Sequence, residues 1–161
     1  RDQARHYQHS ELGFNYRMSN VCAGIGRGQL TVLDERIVQK KAIYNKYKEA
    51  FADIEEIKMA PICDYGHPNY WLSVMMLDKK SKFSPLDIII ALENENIESR
   101  PIWKPMHLQP YYEKYCFYTH NDDGISVAED IFNRGVCLPS DTKMAEEDTE
   151  RIIRIIKEVV E

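Results

Sequence analysis

Residues 13–20 read Gly13-Phe14-Asn15-Tyr16-Arg17-Met18-Ser19-Asn20, a glycine-led turn of aromatic and polar side chains that runs straight into a helical pattern. Ser19 or Asn20 is suited to cap that helix by accepting a hydrogen bond from one of its unpaired N–H groups. Asn15 and Arg17 then stand at the mouth of a helix N-terminus, where backbone donors and a guanidinium favour an anion such as a phosphate. A polar turn stapled by an Arg–carboxylate pair suits the same residues, and side-chain chemistry alone leaves both open.

Downstream of the turn, Leu30, Leu33, Ile37, Tyr44, Tyr47 and Phe51 recur at helical spacing, and charged residues fill the positions between them. This predicts one long amphipathic helix from Asn20 to Ile54. Gly24, Gly26 and Gly28 weaken its first half by about 1 kcal/mol each relative to Ala, which allows a bend. They look like part of a dinucleotide fingerprint, but no strand precedes them and no acidic residue closes a βαβ unit. Asn20, Gly24 and Gly28 share one face, which points instead to close approach of another backbone. Lys40, Lys41, Lys46 and Lys48 belong to the charged face and read as solvated.

After Pro61 the period changes. His67 to Leu77 reads as a strand, and Ser84-Pro85 opens a helix with a cap and a first-position proline. Glu98 to Trp103 reads as a second strand, Pro110 to Tyr115 and Ser126 to Asn133 as short helices, and Val136 to Leu138 as a short strand. Glu146, Glu147 and Asp148 suit the positive end of a last helix carrying Ile152, Ile153, Ile156 and Val159. Helices layered on a small sheet, an α/β arrangement, are the economical packing for this order.

Between the second strand and the next helix lies Arg100-Pro101-Ile102-Trp103-Lys104-Pro105-Met106-His107-Leu108-Gln109-Pro110. Three prolines remove N–H donors and fix the backbone, so the segment is a rigid loop. Arg100 offers bidentate bonds to a diphosphate and Trp103 a stacking face, while Lys104 and His107 add further polar reach. Trp103 serves equally as a core anchor, and His107 as a structural hydrogen-bonder.

A chain of 161 residues with 43% hydrophobic side chains fits one core. Net charge −5 argues against nucleic acid as a partner. No apolar run reaches the roughly 20 residues that span a bilayer. Cys22, Cys63, Cys116 and Cys137 show no close pair, which predicts four reduced, mostly buried thiols in a cytoplasmic protein. His6 and His9 lie three apart, but without a third ligand they read as a solvated pair in a frayed terminus, so no metal site is expected.

Asn15-Tyr16-Arg17-Met18-Ser19-Asn20 with Ala23, Gly26, Gln29-Leu30 and Leu33-Asp34, the Ser99–Pro110 block, and Cys137-Leu138-Pro139-Ser140 closely resemble the DegT/DnrJ/EryC1/StrS sugar aminotransferases, in order and over the whole chain. The resemblance implies the C-terminal small domain of a fold-type I enzyme that uses pyridoxal 5'-phosphate (PLP). Such an enzyme aminates a nucleotide-linked 4-keto-6-deoxy sugar, with glutamate as donor, for surface-glycan or glycoprotein sugars. Residues 1–19 then close a large PLP-binding domain and carry its active-site loop, and residues 20–161 form the linking helix and the small domain. The resemblance places the Schiff-base lysine before the motif, so no catalytic residue is expected here and the chain alone should be inactive. In a homodimer Asn15 would bond the PLP phosphate of the partner subunit. Arg17, Arg100, Pro101, Ile102, Trp103, Lys104 and His107 would bind substrate. A PLP-dependent sugar dehydratase of the same family, with His for the catalytic Lys, and a non-enzymatic sugar-nucleotide-sensing domain stand as alternatives.

Overall fold

The structure, a computed structural model, describes residues 5–119, 124 and 126–160. Four short strands form one antiparallel sheet: β1 is Ile57–Met59, β2 Ser73–Leu77, β3 Arg100–Pro101 and β4 Gly135–Leu138, in the order β1-β2-β4-β3. Five helices accompany it: α1 Asn20–Leu30, α2 Leu33–Ala50, α3 Pro85–Asn94, α4 Val127–Arg134 and α5 Glu146–Val160. The expected layering of helices on a small sheet is what is seen.

Register divides the sheet into two faces. Ile57 opposes Leu77, Met75 opposes Val136, and Ser73 opposes Leu138; directly opposed residues share a face. This face packs against Tyr47 and Phe51 of α2 and its C-terminal end, Ile88 and Leu92 of α3, and Ile152 and Ile156 of α5, all buried. Val74, Cys137 and Arg100 line up on the opposite face. That second face carries the site.

Local chemistry explains several ends. The Ser84 hydroxyl accepts from the Asp87 N–H while the Asp87 carboxylate accepts from the Ser84 N–H, a reciprocal cap completed by Pro85 at the first helical position. Ser126 caps α4 by accepting from the Glu129 N–H. Three acidic residues open α5.

Other expectations are corrected. The helix expected from Asn20 to Ile54 breaks at Thr31-Val32, where N–H groups bond the carbonyls three residues back, and it ends at Ala50. Two adjacent β-branched residues follow three glycines there, and propensity gives way. α1 buries no residue, and Leu30 at its end and Leu33 at the start of α2 are both exposed, so the core part of the expected stripe starts further along α2. A Cβ placed on Gly24 or Gly28 would meet nothing within 4 Å, so no close packing is made there among the described residues.

The strand expected from His67 shrinks to Ser73–Leu77. The Asn69 carboxamide accepts from the Trp71 N–H, and Tyr70 adopts φ 52°, which together turn the chain out of extension. The second strand is two residues long because Pro101 cannot donate to a ladder. Residues Pro110 to Tyr115 are turns preceded by a single 3-10 turn at Met106–Leu108, and β1 adds a strand the pattern did not announce. Cys22, Cys63 and Cys116 are exposed, and Cys137 alone of the four is buried.

Candidate functional site

Residues 5–9, which include the expected solvated histidine pair, are held by the rest of the fold rather than frayed. His6 meets Phe132 edge-on with ring centres 5.5 Å apart, and Arg5 pairs with Glu93. Tyr7 to His9 lie along the proline-framed loop almost one hundred positions later in sequence. Lys104 Nζ donates to Gln8 Oε1 at 2.8 Å, and the Gln109 carboxamide bonds the backbone of both segments. Residues 7–9 are thereby drawn onto the second motif block.

Where they meet, three aromatic rings border a cavity of about 470 Å³. Trp103 stacks with Tyr7 at 6.2 Å and 20°, and stands 5.7 Å from Trp71 at 41°. Trp103 is 44% exposed and Trp71 62%, which makes both of them surfaces rather than core anchors. Arg100 enters from β3. Its Nε and Nη2 donate to Glu98 at 2.8 and 2.6 Å and its Nη1 to the Tyr7 hydroxyl at 3.1 Å, and the Glu98 bonds hold the guanidinium firmly charged. Cys137 lies under it on β4. Burial pushes that thiol up to about 11, with the Arg100 charge opposing the shift, so it is a neutral floor rather than a nucleophile.

The rim is fixed from behind. Ser140 Oγ accepts from the Ser73 N–H at 3.1 Å and donates to the Leu138 carbonyl at 3.0 Å. Lys40, expected to be solvated, reaches from α2 to the carbonyls of Ser140 and Trp71. It ties the two loops that frame the cavity. Lys46 pairs with Glu146 at 3.0 Å, whereas Lys41 and Lys48 are exposed as expected.

Asn15 borders a neighbouring groove, also about 470 Å³, with Gly13, Met106, Gln109 and Tyr112. Arg17 is exposed and lines neither space. Pro101 lines the aromatic cavity, and Ile102 packs behind it against Gly135. His107 turns away, its ring stacked on Phe117 at 3.7 Å and its Nε2 3.5 Å from a Glu129 carboxylate oxygen. Sequence reasoning missed Tyr7, Trp71 and Gln109 as parts of this region. Trp71 and Gln109 lie in the strand and the loop that the sequence pattern marks, but nothing local in sequence marks Tyr7. Among the described residues, no group of three His, Cys, Asp or Glu side chains is placed to hold a metal.

The small helix-on-sheet lobe thus presents an arginine and three aromatic rings beside an Asn-bearing loop. The chain belongs to the DegT/DnrJ/EryC1/StrS aminotransferase family, which it matches over residues 1–157. It is 46% identical to EpsN of Bacillus subtilis (strain 168), whose name assigns it provisionally to the pyridoxal phosphate-dependent aminotransferases, over 97% of this chain and 39% of EpsN. It is 30% identical to the GDP-perosamine synthase of Vibrio cholerae, over 95% of this chain and 40% of that one. The fold matches the crystal structure of DesI in the presence of its TDP-sugar product with a TM-score of 0.76, at 20% identity over 89% of this chain and 36% of DesI. The chain thus spans about two-fifths of the length of these relatives.

Proposed function

We propose that this chain is the C-terminal part of a PLP-dependent transaminase that aminates the 4-keto carbon of a nucleotide-linked 6-deoxyhexose, with glutamate as donor. The observation that carries the reading is the cavity in which Arg100 and the Tyr7, Trp71 and Trp103 rings converge. A sugar nucleotide brings an anionic diphosphate beside flat faces, and a guanidinium beside exposed aromatics meets both. The relative named as a GDP-perosamine synthase supports a nucleotide-linked sugar as the substrate class.

The donor set fits one end of the cofactor. Asn15 offers an uncharged carboxamide at an exposed loop, which suits a phosphate oxygen. Lys40 and Lys46 do not fit the other end, since Lys40 is held by two carbonyls and Lys46 by a carboxylate. The rest of the cofactor site would come from residues outside these 161, and residues 1–19 would form the approach to that domain. When bound, PLP supplies the electron-accepting ring that carries the amino group between donor and acceptor. The work of this chain is to bind and orient. Arg100 and Trp103 hold the nucleotide end, Pro101 and Ile102 fix their backbone, and Lys104 steadies the loop through Gln8. Arg17 and His107 would contribute to substrate binding only from the rim.

A homodimer belongs to the same reading. α1 buries nothing, Val21, Ile25 and Leu30 are exposed, and the glycine face is open. Such a stripe suits coverage by a second subunit, to whose cofactor Asn15 would reach. Four free thiols suit a reducing cytoplasm. No helix among the described residues is long and apolar enough to cross a membrane.

The test is incubation of the intact enzyme with PLP, glutamate and GDP- or UDP-linked 4-keto-6-deoxyhexose. Formation of 2-oxoglutarate and a 4-amino sugar in equal amounts supports the reading. Loss of water from the sugar without amino transfer would favour the dehydratase. Binding of the sugar nucleotide without any turnover would favour a sensing domain.

A further inference from the structure

Residues 5–9 carry no motif, yet one of them lines the aromatic cavity. Tyr7 is the residue that faces it, with its ring stacked on Trp103 and its hydroxyl oxygen accepting from Arg100 at 3.1 Å. Gln109, only 4% exposed, holds Tyr7 there. Its Nε2 donates to the Tyr7 carbonyl at 2.7 Å and to the Lys104 carbonyl at 3.3 Å, and its Oε1 accepts from the His9 N–H at 2.9 Å. A primary amide at this reach both donates twice and accepts. An ionised Glu keeps only the acceptor, and Met keeps neither.

We infer that Tyr7 is a ligand-facing, specificity-determining residue of this cavity and that Gln109 is its positioning residue, acting through Tyr7. The inference rests on the reading of the cavity as a sugar-nucleotide site and deepens it. The Tyr7 hydroxyl ties the Arg100 guanidinium to the ring that stacks on Trp103, so an anion and a ring are met at one set spacing. Ligands with a different separation between phosphate and ring lose one of the two contacts. Gln109 sets that spacing by clamping residues 7–9 to the loop at Lys104.

Both tryptophans of the chain, Trp71 and Trp103, border this cavity, so the tryptophan emission of the 161-residue protein reports on the site. Gln109→Met should shift the emission to the red and raise its quenching by acrylamide, because Trp103 loses the cover of Tyr7. Gln109→Glu, which keeps only the bond from His9, should do the same and serves where the Met variant fails to fold. In the intact aminotransferase, Tyr7→Ala and Gln109→Met should each raise KM for the nucleotide-linked sugar about tenfold and leave KM for glutamate unchanged. Unchanged emission in both Gln109 variants would overturn the positioning role. Altered emission with an unchanged sugar KM would overturn the ligand-facing role of Tyr7. A wild-type enzyme that does not aminate sugar nucleotides would overturn the functional reading itself, while the emission result would still decide what Gln109 holds.

Discussion

Ile102 packs so closely over Gly135 that a Cβ on the glycine would fall inside the Ile102 side chain and 2.7 Å from the Ile131 carbonyl oxygen. One contact joins the site loop to the first residue of β4, in the layer that α4 and the loop share. Gly135 is there for space, since its φ of −101° is open to any residue.

Gly135→Ala is therefore expected to destabilise the fold by about 1–3 kcal/mol through overpacking, because the Ile131 backbone cannot yield as a flexible side chain would. Urea unfolding of the variant would show a lower midpoint with an unchanged slope. An unchanged midpoint would mean that the loop relaxes freely at Ile102.

Alkaline pH should weaken the fold through Cys137. Its thiol has an ordinary value of 9.0 and is pushed by burial to about 11 in the folded state. Between those values the unfolded chain has lost the proton and the folded chain keeps it, so stability falls as pH rises. Burial of the Tyr47 phenol drives the same trend at higher pH. Cys137→Ala should flatten the fall between 9.0 and about 11, measured by urea unfolding across that range. In the native protein a thiol reagent should modify exposed Cys22, Cys63 and Cys116 and spare Cys137 until unfolding. Equal slopes for variant and parent would place the thiol in contact with water.

Much of this was legible in the sequence where the signal is local. Ser84-Pro85 with Asp87, the acidic start of α5 and the Val136–Leu138 strand carry their own caps, dipole partners or apolar runs. The three prolines after Arg100 announce a rigid loop without reference to anything else. What could not be read depends on distant partners. Ile57–Met59 is a strand because β2 lies beside it, and three residues hold no period. Tyr7 and Gln109 meet across a hundred positions, and neither type is unusual in its own neighbourhood. The break at Thr31-Val32 was hidden because the apolar spacing runs on through it while the faces on either side have different fates.

Asn15→Ala in the intact enzyme should loosen PLP by about 1.5–3 kcal/mol, the worth of a hydrogen bond to a charged group. Equilibrium dialysis of the cofactor against parent and variant would measure it. Equal retention would remove Asn15 from the phosphate site and leave the groove beside Met106 without that role.

Single-turnover absorbance of the intact enzyme separates the two halves of transamination and tests the role of the proline-framed loop most directly. Remote contacts that hold a substrate in place alter the rate of its own half-reaction. With Arg100→Ala or Trp103→Ala, the sugar half-reaction should slow and bind its substrate more weakly, while the glutamate half-reaction proceeds as in the parent. Equal loss in both halves, or no loss with the sugar, would contradict the account and leave Arg100 and Trp103 as structural residues of the loop.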